Sequence, residues 1–347
     1  MGAADSLADL TTLRVGGPAR TLITAGTEAE LVSAVQTADE SGEPLLVLGG
    51  GSNVLIGDEG FDGTVIRVAT RGLDADVSTC SGATVRVAAG EGWDGFVAYA
   101  VEQEWSGIEA LSGIPGLVGA TPIQNVGAYG SEVSQTIASV RTWDRMTGRQ
   151  ATFSVAECGF GYRWSRFKAE PNRYLVLEVT FQFILGSLSA PVRYAELART
   201  LGVPVGSRVP TSEVRDAVLR LRAGKGMVLD PSDHDTWSAG SFFTNPILTT
   251  AEAARLPAEA PRFDQPDGRV KTSAAWLIEH AGFGKGYGAA VAEGRATLST
   301  KHTLAVTNRG CASAADVLGL AREVRAGVEQ QYGITLVPEP VLVGCQL

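Results

Sequence analysis

Apolar residues along the chain fall into two spacings, and each change of spacing marks an element. Residues 21–25 read as a short strand. Thr27 and Glu30 then form a capping box, in which a hydroxyl and a carboxylate satisfy the first free helix amides. Leu31, Ala34, Val35 and Ala38 follow at helical spacing, and Gly42 stands where that helix should end. The apolar run 45–48 predicts a buried strand that leads directly into Gly49, Gly50, Gly51, Ser52 and Asn53. Residues 64–68 predict another strand.

From about residue 71 the pattern changes. Residues 84–88 alternate as a half-buried strand does, and 176–181 do the same. Residues 93–105 predict an amphipathic helix, and 112–130 form a long Gly/Pro-rich stretch. A helix is expected over 211–222 with Val214, Val218 and Leu221 on one face, and another over 273–281, ended by Gly282. Ser313 and Asp316 form a second capping box. It opens a helix with Val317, Ala321, Val324 and Val328 on one face, and Gly333 stops that helix. Residues 334–343 read as extended, 257–268 as a Pro/Asp-rich loop, and 204–210 as a domain boundary.

At 347 residues the chain is too long for one ordinary core, so two or three domains are expected. The net charge of −9 argues against a general nucleic-acid or membrane-surface binder. It leaves room for anionic small ligands, which backbone amides and a few placed cations can hold. Cys80, Cys158, Cys311 and Cys345 are scattered, which points to a reduced, cytoplasmic protein. No apolar run suits a signal core or a bilayer span. The start, Met1 to Ser6, fits the loose myristoylation pattern, a match read here as chance.

Two segments carry candidate chemistry. The turn after Leu48 can aim several N–H groups at a phosphate, although it is neither GxGxxG nor a P-loop. Taken alone, a tight turn with no ligand explains it equally well. The stretch 112–130 offers no side chains to build a core and is unlike a solvated linker. Backbone packed against a flat ligand explains it better, and the two segments together suggest a large phosphate-bearing cofactor. No His/Cys spacing suits a metal, so none is expected. His234 and His280 read as surface or structural residues.

Seven segments, in order, carry a closer resemblance: 11–19, 48–55, 112–130, 161–163, 239–246, 271–282 and 338–340. On these the chain resembles the UDP-N-acetylenolpyruvoylglucosamine reductase family, in the form with a tyrosine loop. The resemblance implies an α+β fold of three domains. Two form an FAD-binding unit like that of vanillyl-alcohol oxidase, and the third is an α+β substrate-binding domain. The expected limits are 1–70, then 71–205 with 331–347 returning to it, then 206–330. It also implies FAD as cofactor, NADPH as electron donor, and a small UDP-sugar as substrate. FAD is expected to be non-covalent, because the glycine segments offer no His or Cys. A monomer is expected.

By the same resemblance, Arg14, Val15 and Gly16 contact the cofactor, Leu48, Gly49, Gly50, Gly51, Ser52 and Asn53 form its pyrophosphate loop, and Ser112, Gly113, Ile114, Pro115, Gly116, Gly119, Ala120, Gln124, Asn125, Gly127 and Ala128 wall the flavin. Ser241 is the proton donor, with Arg163 and Glu339 completing the catalytic set. A serine is a poor acid in water and works only if held at the reacting carbon with water excluded. An unplaced serine would be read as a helix cap or turn. Arg163 suits a carboxylate that gains charge during reduction, the bland alternative being a surface ion pair. Glu339 beside that charge is expected to be protonated or hydrogen-bonded to a donor. Tyr162, Tyr194, Lys225 and Asn245 are expected to hold substrate, although a lysine placed like Lys225 commonly faces solvent. His302 lies near a substrate-side glutamine position of the family and is carried with them despite the different residue type. Two other readings stay open: an FAD oxidase of hydroxyl substrates, and a UDP-sugar binder without cofactor.

Overall fold

The computed structural model describes residues 6–289 and 292–347. Residues 1–5, with most of the myristoylation-like pattern, lie outside them. The contacts gather into two compact units. The first holds the amino-terminal stretch to Ala19, Gly51–Phe61 and Gly224–Leu347; the second holds Arg20–Gly50 and Asp62–Ala223.

In the second unit a small sheet runs in the order Ala19–Ala25, Phe61–Val68, Leu45–Leu48, the last two parallel. The helix Glu28–Ser41 is capped as its sequence requires. Thr27 Oγ accepts from the Glu30 N–H at 3.2 Å and the Glu30 carboxylate accepts from the Thr27 N–H at 3.1 Å. Gly42 closes it at φ 68°. Leu31, Val35 and Ala38 are buried, Ala34 only partly.

A larger antiparallel sheet follows, ordered Arg149–Ser154, Ile137–Asp144, Tyr174–Leu185, Gly82–Ala88, Leu73–Ser78. The helix Trp93–Glu102 joins Trp93, Phe96 and Val97 to the core that holds Phe181 and Phe183. This helix was expected to reach Trp105. It stops at Glu102, the backbone turns left-handed at Glu104 (φ 57°), and Trp105–Ser106 pairs with Ile184 and Leu185. The reason is aromatic packing: the Trp105 ring stacks on Phe183 at 6.0 Å, a contact that a continuing helix could not make.

The helix Thr211–Gly224 buries Val214, Ala217 and Val218 with Ala110, Val192 and Leu197. Its contacts therefore lie in the second unit, and the chain passes to the first unit at 223/224. An amphipathic face packs wherever an apolar partner is offered, which local composition does not reveal.

In the first unit Val54–Ile56 pairs in parallel with Val341–Val343. The carboxyl-terminal segment thus returns to residues 54–56. Of the extended stretch 334–343, only Val341–Val343 is strand. The helix Ala314–Tyr332 buries Val317, Leu318, Ala321, Val324 and Val328 and ends at Gly333 (φ 67°). Its amino end is held by Ser313 and also by Asp58, whose carboxylate accepts from the N–H groups of Ala314 and Ala315 at 2.7 and 2.9 Å. The helix Ala274–His280, the hairpin Ala296–Leu298 with Val306–Asn308, and a small sheet including Phe263–Asp264 complete the unit. That last strand lies inside the expected loop 257–268. Both units mix helix and sheet, the expected α+β character. Among the described residues no helix is long and apolar enough to cross a membrane.

Candidate active site

Ser241 is half-buried at the end of a left-handed turn at Gly240 (φ 74°), next to the fully buried Phe242 and Phe243. Those rings anchor the segment in the core of the first unit. Backbone bonds then fix it on both sides. The Phe242 N–H donates to the Leu304 carbonyl at 2.7 Å, and the Phe242 carbonyl accepts from the Glu339 N–H at 2.9 Å. Glu339 is thereby seated beside the Ser241–Phe242 backbone, and the turn that carries His302 flanks it through Leu304. Asn53 joins the same group: its Nδ2 reaches the Glu339 carbonyl at 3.4 Å, and its own carbonyl accepts from the Val341 N–H at 3.0 Å. Ser52 precedes it, half-buried.

Asn245 is partly structural. Its Oδ1 accepts from the Ala274 N–H at 2.9 Å, at the amino end of the helix Ala274–His280. Lys225 directly follows the helix Thr211–Gly224 and is half-buried.

Arg14 has a left-handed backbone (φ 53°), and Val15 beside it is buried. Asn308 Nδ2 holds this turn by donating to the carbonyls of Leu13 and Arg14 at 3.2 and 3.1 Å. The Arg14 guanidinium lies over the Trp237 ring, 4.8 Å from its centre. Thr12 bonds the Gly51 carbonyl through its N–H at 3.1 Å and the Ser238 carbonyl through its hydroxyl at 2.7 Å. Neither Trp237 nor Asn308 was expected from the sequence, since each acts through residues more than 200 positions away.

In the second unit the glycine-rich stretch is tied closely into its surroundings. Gly50 presses on Gly116 so closely that a Cβ on Gly50 would lie 2.7 Å from the Gly116 Cα. Val118 is fully buried in the core, contrary to the expectation that this stretch contributes nothing there. Ser112 turns its hydroxyl to the Glu109 carbonyl at 2.6 Å, and the Gly113 N–H donates to Asp94 Oδ1 at 2.6 Å. Asp94 is also paired with Arg215 at 2.6 and 3.0 Å. Burial pushes the Asp94 carboxyl up, but the bonds from Arg215 and Gly113 outweigh it and hold it below its usual value.

Asn125 is buried and ties this stretch together. Its Nδ2 donates to Glu132 at 2.8 Å and to the Gly161 carbonyl at 3.1 Å, and its Oδ1 accepts from the Ser134 N–H at 3.2 Å. The Gly161 turn carries Tyr162 and Arg163. Arg163 has φ 51°, and its Nη2 donates to the Gly127 carbonyl at 2.9 Å. Its guanidinium lies 5.7 Å from the centre of the Tyr162 ring. The structure therefore seats Arg163 against the glycine-rich stretch. Tyr194 is 46% exposed and meets Tyr129 edge-on at 5.6 Å. Burial pushes the Tyr129 hydroxyl up to about 12. Ile114, Pro115, Ala120, Gln124 and Ala128 are half-buried along the same stretch, and Gly119 is buried. Among the described residues no His/Cys/Asp/Glu group has metal-binding geometry.

Two family models match the chain: UDP-N-acetylenolpyruvoylglucosamine reductase, C-terminal domain, over residues 230–343, and FAD binding domain over residues 19–154. The UDP-N-acetylenolpyruvoylglucosamine reductase of Cutibacterium acnes is 66% identical over 341 residues, spanning 98% of this chain and 90% of the relative. That of Streptomyces coelicolor is 59% identical over 352 residues, with the same two coverages. Among solved structures, UDP-N-acetylenolpyruvylglucosamine reductase from Thermus caldophilus matches with a TM-score of 0.66 at 29% identity, covering 98% of this chain and 97% of that one.

The residues present fit FAD on an independent observation. Arg14 Nε and Trp237 Nε1 are buried N–H donors with no hydrogen-bond partner among the described residues. Buried donors are normally satisfied, and a cofactor rich in oxygen acceptors would do so. Its relatives over nearly its whole length, together with the two matched domain models, show that the chain belongs to the UDP-N-acetylenolpyruvoylglucosamine reductase family of FAD-dependent oxidoreductases.

Proposed function

We propose that the chain reduces the enolpyruvyl group of UDP-N-acetylglucosamine enolpyruvate to the lactyl ether of UDP-N-acetylmuramate, with NADPH as electron donor, in peptidoglycan precursor synthesis. FAD, when bound, supplies the hydride to the methylene carbon of the substrate. Ser241 Oγ gives its proton to the neighbouring carbon, so that one hydride and one proton together saturate the double bond. The Arg163 guanidinium pairs with the substrate carboxylate, towards which negative charge moves during the reaction. Glu339 faces the same charge and works protonated or bonded to a donor, because an ionised carboxylate there would oppose the reaction. Tyr162, Tyr194, Lys225, Asn245 and His302 hold the UDP-sugar. The protein works as a cytoplasmic monomer, and the three-domain division with limits near 70, 205 and 330 describes its functional parts.

The observation that carries this reading is the 2.9 Å bond from the Glu339 N–H to the Phe242 carbonyl. It supports a shared role for Ser241 and Glu339, which are almost a hundred residues apart in sequence. The test is a visible spectrum under anaerobic conditions. Flavin absorbance should bleach with NADPH and return only when the enolpyruvyl UDP-sugar is added. Rapid reoxidation by dioxygen with indifference to the sugar would favour an oxidase instead. In Ser241→Ala, bleaching by NADPH should proceed normally while the return slows by about 10²–10⁴-fold.

A further inference from the structure

Trp237 has no assigned role, yet it lies four residues before Ser241 and carries a donor with an unmet need. Its Nε1–H is buried and finds no acceptor among the described residues, and the same holds for Arg14 Nε. The two groups are neighbours, because the Arg14 guanidinium lies 4.8 Å from the centre of the Trp237 ring. Leaving one buried donor unsatisfied is costly, and two side by side point to a common acceptor.

The surroundings hold this pair in place. Arg14 adopts a left-handed backbone (φ 53°), a conformation that costs a non-glycine residue energy and concentrates at ligand sites. Asn308 keeps it there by donating to two successive carbonyls, those of Leu13 and Arg14. The Trp237 carbonyl accepts from the Asn308 N–H at 3.0 Å, so one asparagine positions both partners. The indole is a donor only, and Arg has no acceptor either. The missing partner must therefore be an acceptor, and an anionic or carbonyl oxygen suits a cation placed beside a neutral donor.

We propose that Trp237 Nε1–H and the Arg14 guanidinium together bind one oxygen acceptor of FAD, with Asn308 as the residue that positions them. This rests on FAD as the cofactor. The acceptor is a carbonyl edge of the isoalloxazine ring or an oxygen of the diphosphate, and the two differ in what they do to the flavin.

The test uses the full-length chain stripped of flavin, with FAD titrated back by fluorescence. Trp237→Phe keeps an aromatic ring under Arg14 and removes the N–H together with the rest of the indole's second ring; Arg14→Lys keeps the charge and removes Nε. Each should weaken FAD binding about tenfold, and the double variant should lose less than the product of the two, because they share an acceptor. The rise in melting temperature produced by a fixed excess of FAD should be smaller in Trp237→Phe than in the wild type, whatever the cavity left by the smaller ring does to the chain without FAD. That combination separates a ligand role from a structural one. A shifted midpoint potential in Trp237→Phe assigns the acceptor to the isoalloxazine ring, whereas weaker binding at unchanged potential assigns it to the diphosphate. Unchanged FAD affinity in Trp237→Phe, or an FAD-induced rise in melting temperature equal to that of the wild type, overturns the proposal. Wild-type chain that binds no FAD would instead overturn the cofactor assignment on which it rests.

Discussion

Replacing Gly50 by alanine should destabilise the second unit and weaken FAD binding, whereas the same change at Gly49 should leave the fold intact. A methyl on Gly50 would sit 2.7 Å from the Gly116 Cα, 3.2 Å from the Gly116 carbonyl carbon and 3.5 Å from the Leu117 nitrogen. Carbon atoms prefer about 3.5–4.0 Å, so the two loops must part by about 1 Å. Both sides of the contact are main chain, so no side chain can rotate to relieve it. Gly116 is also held, since its carbonyl accepts from the Trp93 N–H at 3.0 Å and Trp93 is buried in the core. Overpacking of this kind costs about 1–3 kcal/mol. At Gly49 the added methyl would meet Leu117 Cδ1 at 3.7 Å and the Ala120 Cβ at 3.9 Å, which are ordinary contacts. The expected change there is within about 0.5 kcal/mol. Urea denaturation of both variants without FAD, followed by FAD titration, measures the difference. Equal losses for the two, or no loss for Gly50→Ala, would refute the steric reasoning.

Other changes separate structure from chemistry. Asp94 has its carboxyl held below the usual value, so its stabilisation is complete above the ordinary carboxylate range and is lost as pH falls through the lowered value. Asp94→Asn should therefore flatten the acid side of a stability-versus-pH curve below about pH 4, and an unchanged acid limb would deny it that role. Asn245→Asp keeps an acceptor for the Ala274 N–H but removes the side-chain donors. It should fold normally and raise KM for the UDP-sugar; an unchanged KM would make Asn245 a helix cap alone. Glu339→Gln should alter the pH–rate profile, and superimposable profiles would remove Glu339 from the proton chemistry.

Helix ends were the most legible feature. The box at Thr27 and Glu30, the stop at Gly42, the box at Ser313 and Asp316, and the stop at Gly333 all stand where the residues imply. Each depends on atoms a few positions apart, so adjacent residues suffice to specify it. The end of the helix at Glu102 was not legible, because what competes for Trp105 is Phe183, nearly eighty residues on. The candidate site divides in the same way. Ser241, Arg163 and Glu339 could be named from motifs, whereas Trp237 and Asn308 carry no local signal.

The sequence by itself determined the local elements, the two glycine-rich segments and, through seven ordered motifs, the family. Only the tertiary structure decided that Val341–Val343 pairs with Val54–Ile56, that Gly50 presses on Gly116, that Glu339 lies against Phe242, and that Arg14 covers Trp237. Helical periodicity and capping are satisfied within one or two turns of chain. Contacts between distant segments depend instead on which apolar faces and backbone edges remain to be covered once the local elements have formed, and that is settled only when the whole unit packs.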